Sequence, residues 1–210
     1  AAHGGSHCQV TAITNANGKT SRLVPDQFGN TLQTIDATGI AANYTYDSIG
    51  RRLTRTDAQN QTWTYTYDNN GNELTQTDPL GNVITNVYDA NGNLLSKIDP
   101  ENHTLTYSYD ENDRLLQITD PLGQTTSITY DANGNRTALT DGNSHTTTYN
   151  YDSRNRLTAV TEANGSTVSY TLDGNGNRIS QTDGNGETTQ YEYDVLNRLT
   201  ATTDPLGNTT

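Results

Sequence analysis

Apolar and polar residues alternate over short stretches, and turn-forming residues interrupt the alternation at regular distances. In Thr62-Trp63-Thr64-Tyr65-Thr66-Tyr67 the alternation has period two, which puts Trp63, Tyr65 and Tyr67 on one face of an extended strand and three threonines on the other. Between turns lie segments of five to seven residues rich in Thr, Tyr, Leu and Ile, ordinary in length and composition for strands. No segment shows a sustained helical period. The interruptions read D-x-N-G-N at 89–93, 131–135 and 173–177 and D-P-L-G-N at 78–82 and 204–208. They combine Asp or Asn, which bond their own backbone, with Gly free to take positive φ. Pro79, Pro100, Pro121 and Pro205 preset φ at an early turn position.

The interruptions are periodic. A tyrosine-aspartate pair returns every 21 residues at Tyr46-Asp47, Tyr67-Asp68, Tyr88-Asp89, Tyr109-Asp110, Tyr130-Asp131, Tyr151-Asp152 and Tyr193-Asp194. Leu172-Asp173 fills the gap, Pro25-Asp26 precedes the series, and nothing is inserted or deleted across eight intervals. A second acidic series runs in parallel at Asp36, Asp57, Asp78, Asp99, Asp120, Asp141, Glu162, Asp183 and Asp204. Residues 9–20 align with 156–167, seven periods on, so about 9.6 repeats fill 9–210. The expected organisation is an N-terminal tail or partial cap at 1–8 followed by tandem repeats over 9–210. A weaker period of 42 lies on top: DPLG stands at 78, 120 and 204, and Arg114, Arg156 and Arg198 fall in a turn that reads as shortened where others carry Gly-Asn.

Stacked repeats give ladders. One runs through Tyr46, Tyr67, Tyr88, Tyr109, Tyr130, Tyr151 and Tyr193, and a second through Tyr44, Tyr65, Tyr107, Tyr149, Tyr170 and Tyr191, which together hold all 13 tyrosines. In a repeat architecture each unit covers its neighbour's apolar face, so one or two aromatics per repeat build a continuous seam. The expected fold class is all-β, a repetitive antiparallel β-ribbon or solenoid.

Composition alone points elsewhere. Leu, Ile, Val and Phe make up 34 of 210 residues, below the roughly 20% at which a charged chain is expected to stay disordered. The spacing of those residues outweighs their number. Charge excludes more: 24 acidic against 12 basic residues give a net charge of -12, which argues against nucleic acid or anionic membranes as partners. No apolar run approaches the roughly 18 residues that span a bilayer, so membrane insertion is not expected. Cys8 is the one cysteine, so no disulfide framework supports the thin core. The absence of methionine, with Ala1 first, fits a processed protein or a piece of a longer chain.

The Tyr-Asp element in its 21-residue setting, Y-x-Y-D-x-x-G-N-x-L, closely resembles the RHS or YD repeats, over nearly the whole chain. In that family the repeats form a long antiparallel β-ribbon that spirals into a hollow shell. Its members include bacterial polymorphic toxins, the encapsulating part of insecticidal toxin complexes, wall-associated proteins and teneurins. The resemblance implies a container or surface scaffold, secreted or at the cell surface, with chemistry supplied by other domains. Toxin members carry a core segment with an aspartyl autoproteolytic site, and this sequence lacks it; its DPLG triplets are periodic and fit turns.

Candidate chemical sites are few. Asp131, Asn133 and Asn135 offer oxygens at positions 1, 3 and 5 like the start of a calcium loop, but the glycine is at 4 instead of 6 and no Glu follows at 12, so a turn is the preferred reading. His3, with Ala1 and Ala2, could chelate Cu(II) or Ni(II) through a free amino terminus. No cofactor is expected. No Ser-His-Asp arrangement stands out, and a carboxylate repeated for structural reasons singles out no acid or base; an enzyme is not expected. Three functions fit: a shell segment that encloses or presents a toxin or other partner polypeptide, a filament of further copies joined end to end through unpaired strand edges, and an adhesin whose tyrosine rows stack on glycans.

Overall fold

A computed structural model describes residues 11–39 and 41–210. The chain forms two compact units, Ala1–Leu105 and Thr106–Thr210. Every element among the described residues is a strand, and none is a helix.

The first unit holds β1 (Thr11–Thr14), β2 (Thr20–Pro25), β3 (Thr31–Ile35), β4 (Ala41–Tyr46), β5 (Arg52–Thr56), β6 (Thr62–Tyr67), β7 (Glu73–Thr77), β8 (Val83–Tyr88) and β9 (Leu94–Ile98). From β1 to β9, consecutive strands pair antiparallel. The boundary falls within β10 (Thr104–Tyr109), and the second unit holds the rest of that strand with β11 (Leu115–Thr119), β12 (Thr125–Tyr130), β13 (Arg136–Thr140), β14 (Thr146–Tyr151), β15 (Leu157–Thr161), β16 (Thr167–Leu172), β17 (Arg178–Thr182), β18 (Thr188–Tyr193) and β19 (Leu199–Thr203). From β10 onward the same meander repeats. The all-β antiparallel reading therefore holds, and the 21-residue period is a six-residue strand, a five-residue strand and two turns.

Both turn rows use one construction. In the turn at 68–72 the Asp68 N–H donates to the Asn72 carbonyl at 3.0 Å and the Gly71 N–H to the Asp68 carbonyl at 3.2 Å; at 78–82 the matching bonds are 2.9 and 3.0 Å. The fourth residue has positive φ, +94° at Gly71 and +87° at Gly81. This is a tight turn closed by a left-handed residue, a common hairpin solution when that residue is Gly or Asn. The turns with Arg114, Arg156 and Arg198 are not shortened. Asp113, Asn155 and Asn197 take the glycine's place at φ 59°, 61° and 59°, a conformation short polar side chains tolerate, and the same two backbone bonds close each turn.

The two rows differ in what precedes them. Wherever a six-residue strand runs into its Tyr-Asp turn the register slips by one. Thr66 pairs Thr75 but Tyr67 pairs Glu73, which leaves Leu74 over; Asn150 pairs Ala159 but Tyr151 pairs Leu157, which leaves Thr158 over. Such a bulge bends its strand and increases the local twist.

Neither unit encloses a conventional core. Among the described residues only Tyr65 is buried, at 7% exposure, and no polar residue is buried. Along β6 the expected faces appear: Trp63, Tyr65 and Tyr67 are sheltered while Thr64 and Thr66 are exposed. The DPLG leucines project into solvent, with Leu80 and Leu122 each 85% and Leu206 88% exposed.

Candidate functional site

The residues that repeat are the ones that carry polar chemistry, so the candidate site is the tyrosine face with its flanking turns. Tyr46, Tyr67, Tyr88, Tyr109, Tyr130, Tyr151 and Tyr193 each end a strand and are half-buried. The second ladder (Tyr44, Tyr65, Tyr107, Tyr149, Tyr170, Tyr191) lies two residues earlier on the same face; apart from buried Tyr65 its rings are also half-buried.

The hydroxyls of the first ladder have a common target. Tyr46 donates to the Thr31 carbonyl at 2.9 Å, Tyr67 to Arg52 at 2.8 Å, Tyr130 to Leu115 at 3.0 Å, Tyr151 to Arg136 at 3.1 Å and Tyr193 to Arg178 at 3.2 Å. Each acceptor opens the preceding five-residue strand, at the bulge of the hairpin before. Backbone polar groups displaced from a ladder need another partner, and the next repeat's tyrosine supplies it. At the Glu73 carbonyl the donor is Asn86 Nδ2, at 2.9 Å. Asn86 interrupts the second ladder, and that break was the available sequence signal for its role.

The aspartates close the turns. Asp68 Oδ1 accepts the N–H groups of Asn70 and Asn72, both at 2.9 Å, and Oδ2 accepts Asn72 Nδ2 at 2.9 Å. Asp89, Asp131 and Asp173 do the same with their own asparagines. Asp47, Asp110, Asp152 and Asp194 instead bind Arg51, Arg114, Arg156 and Arg198 as ion pairs of 2.6–2.7 Å. Three of these arginines also reach the next Tyr-Asp turn: Arg51 donates to the Asp68 carbonyl at 2.6 Å, Arg114 to Asp131 at 3.4 Å and Arg156 to Asp173 at 2.7 Å. Hydrogen bonds to the charged form favour it. Asp152 is accordingly held down to about 2, first by the Arg156 side chain and then by its N–H. Asp68 is lowered chiefly by the Asn72 amide and Asp194 chiefly by the Arg198 N–H.

Guanidinium groups also stack on the rings: Arg52 lies 4.5 Å from the centre of Tyr65, Arg114 4.6 Å from Tyr130, Arg136 4.5 Å from Tyr149, and Arg178 5.3 Å from Tyr191. This arginine layer is the part of the face that sequence reasoning missed. Burial raises the hydroxyl pKa of Tyr46, Tyr67 and Tyr88.

For metals, the Asp131-Asn133-Asn135 oxygens sit in the turn just described, where Asp131 accepts three hydrogen bonds. His3 lies outside the described residues. Asp99, Glu101 and His103 bring one ligand atom each within 4.8 Å on an exposed turn, with His103 Nδ1 2.9 Å from Asp99 Oδ2. His145 and Asp141 repeat that pair at 3.1 Å.

A family profile described as RHS Repeat matches residues 46–83, 88–125, 130–167 and 173–209. No curated protein matched the chain in sequence. Solved structures with the same fold include the crystal structure of TcdB2-TccC3-Cdc42, at 18% identity and a TM-score of 0.55 over 92% of the chain. The Photorhabdus luminescens Tc holotoxin pore is similar at 18% identity and a TM-score of 0.57, again over 92%. The chain spans about 13% of the length of the matched chain in each of these two structures.

Proposed function

Because the chain belongs to the RHS repeat family, we propose that it is a non-enzymatic segment of an extracellular shell that encloses or presents a toxin or other partner polypeptide. One observation carries the reading: the polar groups of the Tyr-Asp turns are taken up by the scaffold. Aspartates hold their own turns, tyrosine hydroxyls hold the previous bulge, and arginines hold two turns together. A structural role explains why these groups return every 21 residues. Fold likeness to Tc toxin assemblies supports the association with a toxin.

The test is protection. The full-length natural product is isolated, and any co-purifying or covalently attached polypeptide is exposed to protease before and after the repeats are unfolded in urea. The shell reading expects cleavage to be slow before and fast after. Equal cleavage in both states removes enclosure, and a product confined to the cytoplasm removes the extracellular part. The filament reading would appear in the same preparation as fibres by electron microscopy. The glycan-stacking reading meets a steric obstacle, since guanidinium groups already cover Tyr65, Tyr130 and Tyr149.

A further inference from the structure

An open cavity of about 560 Å3 lies in the first unit beside the turns that begin at Asp36 and Asp57. A local departure in the repeat produces it. The second residue of each six-residue strand in this unit reads Ser21, Ala42, Trp63, Ile84. Ser21 and Ala42 are the two smallest, they are consecutive, and both line the cavity. Ala42 pairs with Thr34, and Trp63 pairs with Arg55.

Arg22, Asp36, Arg55 and Asp57 are the charged residues that line this cavity, and the pair from β5 and the turn after it, Arg55 and Asp57, is left with bonding capacity. The Arg55 guanidinium lies 4.6 Å from the centre of the Trp63 ring, and among the described residues nothing accepts a hydrogen bond from it. Asp57 Oδ1 accepts the N–H groups of Gln59 and Gln61, but among the described residues nothing donates to Oδ2. In the next turn of that row the matching oxygen, Asp78 Oδ2, is taken by Asn82 Nδ2 at 2.7 Å; Gln61 makes no such bond.

We propose that this cavity binds an α-amino carboxylate, as carried by a free amino acid or by the last residue of a peptide. The carboxylate takes the fork of Arg55, whose plane is fixed against Trp63. The α-nitrogen N–H donates to Asp57 Oδ2, and a small side chain rests over Ala42. The volume is within the range of small-molecule sites, which orient a ligand through a few convergent polar or charged groups. A bare carboxylate is disfavoured, because it meets Asp57 with no N–H to offer.

Trp63 is the only tryptophan in the chain, so its emission reports on the site directly. The probes are N-acetyl-L-alanine, L-alanine, N-acetyl-L-alaninamide and acetate. The proposal expects a saturable change with N-acetyl-L-alanine or L-alanine at a Kd on the order of 1 mM, and little with the amide or acetate. Tighter binding of the N-acetylated acid assigns a peptide terminus, and tighter binding of alanine assigns a free amino acid. Ala42→Ile, which fills the cavity, and Asp57→Asn should each weaken binding about tenfold or more, equivalent to about 1.4 kcal/mol. Asn15 already closes a turn of this kind through Oδ1, so Asp57→Asn leaves the fold intact, as circular dichroism would verify. No saturation with either acid, equal response to the amide or to acetate, or unchanged affinity in both variants overturns the site. None of these outcomes depends on whether the protein is a shell.

Discussion

Tyrosine rather than phenylalanine suits position 67 because the hydroxyl has a fixed acceptor, the Arg52 carbonyl in the hairpin before. Tyr67→Phe should therefore lower stability by about 1 kcal/mol, read as a shift in urea midpoint at constant slope. Tyr88→Phe should be nearly neutral, because Asn86 already serves the corresponding Glu73 carbonyl; equal losses in the two variants would contradict this division of labour. The aspartates predict a pH dependence. Folded-state values of Asp68, Asp152 and Asp194 lie below the ordinary 3.8. A depressed value means that the unfolded chain binds protons first as pH falls. Their contribution is thus complete above 3.8 and is lost on acidification toward about 2, the value at Asp152. Urea midpoints should be flat in these groups' contribution from pH 7 to 5 and fall steeply below 4, and a midpoint that rises on acidification would refute the assignment. The Tyr-Asp spacing was legible from sequence, but the hydroxyl's acceptor was not. It lies 15 residues upstream, on a strand that a repeat alignment does not place opposite the ring.

At the level of strands and turns, the left-handed residue sets the cost of change. Gly92 stands at φ +91°, and although a Cβ there would meet only the Asn72 side chain, the backbone conformation opposes it. Gly92→Ala should cost more than about 1 kcal/mol, whereas Asn60→Gly, at φ 60°, should cost little. Thermal or urea unfolding of the pair checks this, and equal effects would remove the conformational explanation. The D-x-N-G-N runs announced these turns, because Asp, Asn and Gly act within five residues. The bulges had no such announcement. The residue left over is Leu74 in one repeat and Thr158 in another, so no side-chain type marks the slip, which follows from fitting a six-residue strand to a five-residue one. The arginine turns misled for a related reason. Loss of Gly-Asn looked like loss of length, while Asp113, Asn155 and Asn197 were holding the same backbone path.

Over the whole molecule, stability should scale with repeat number, since repeat proteins sum local and nearest-neighbour terms. Deleting residues 131–151 removes one 21-residue period and joins Tyr130 to Asp152. The shortened protein should retain its β spectrum by circular dichroism, with a urea slope reduced roughly in proportion to the surface lost. Deleting 20 residues instead should abolish cooperative unfolding, because a one-residue slip sends every later side chain to the opposite face; equal tolerance of both deletions would show that register is not enforced. The sequence by itself determined the period, the alternation of strands and turns, the two faces of each strand and the family resemblance, because each depends on residues close together in one repeat. Tertiary structure alone decided that only Tyr65 among the described residues is buried, that arginines stack on several of the rings and that Arg55, stacked on Trp63, lines a cavity beside Ser21 and Ala42. Those features depend on what the neighbouring strand sets opposite, and a bulge in each Tyr-Asp hairpin shifts that partner in a way local pattern does not specify.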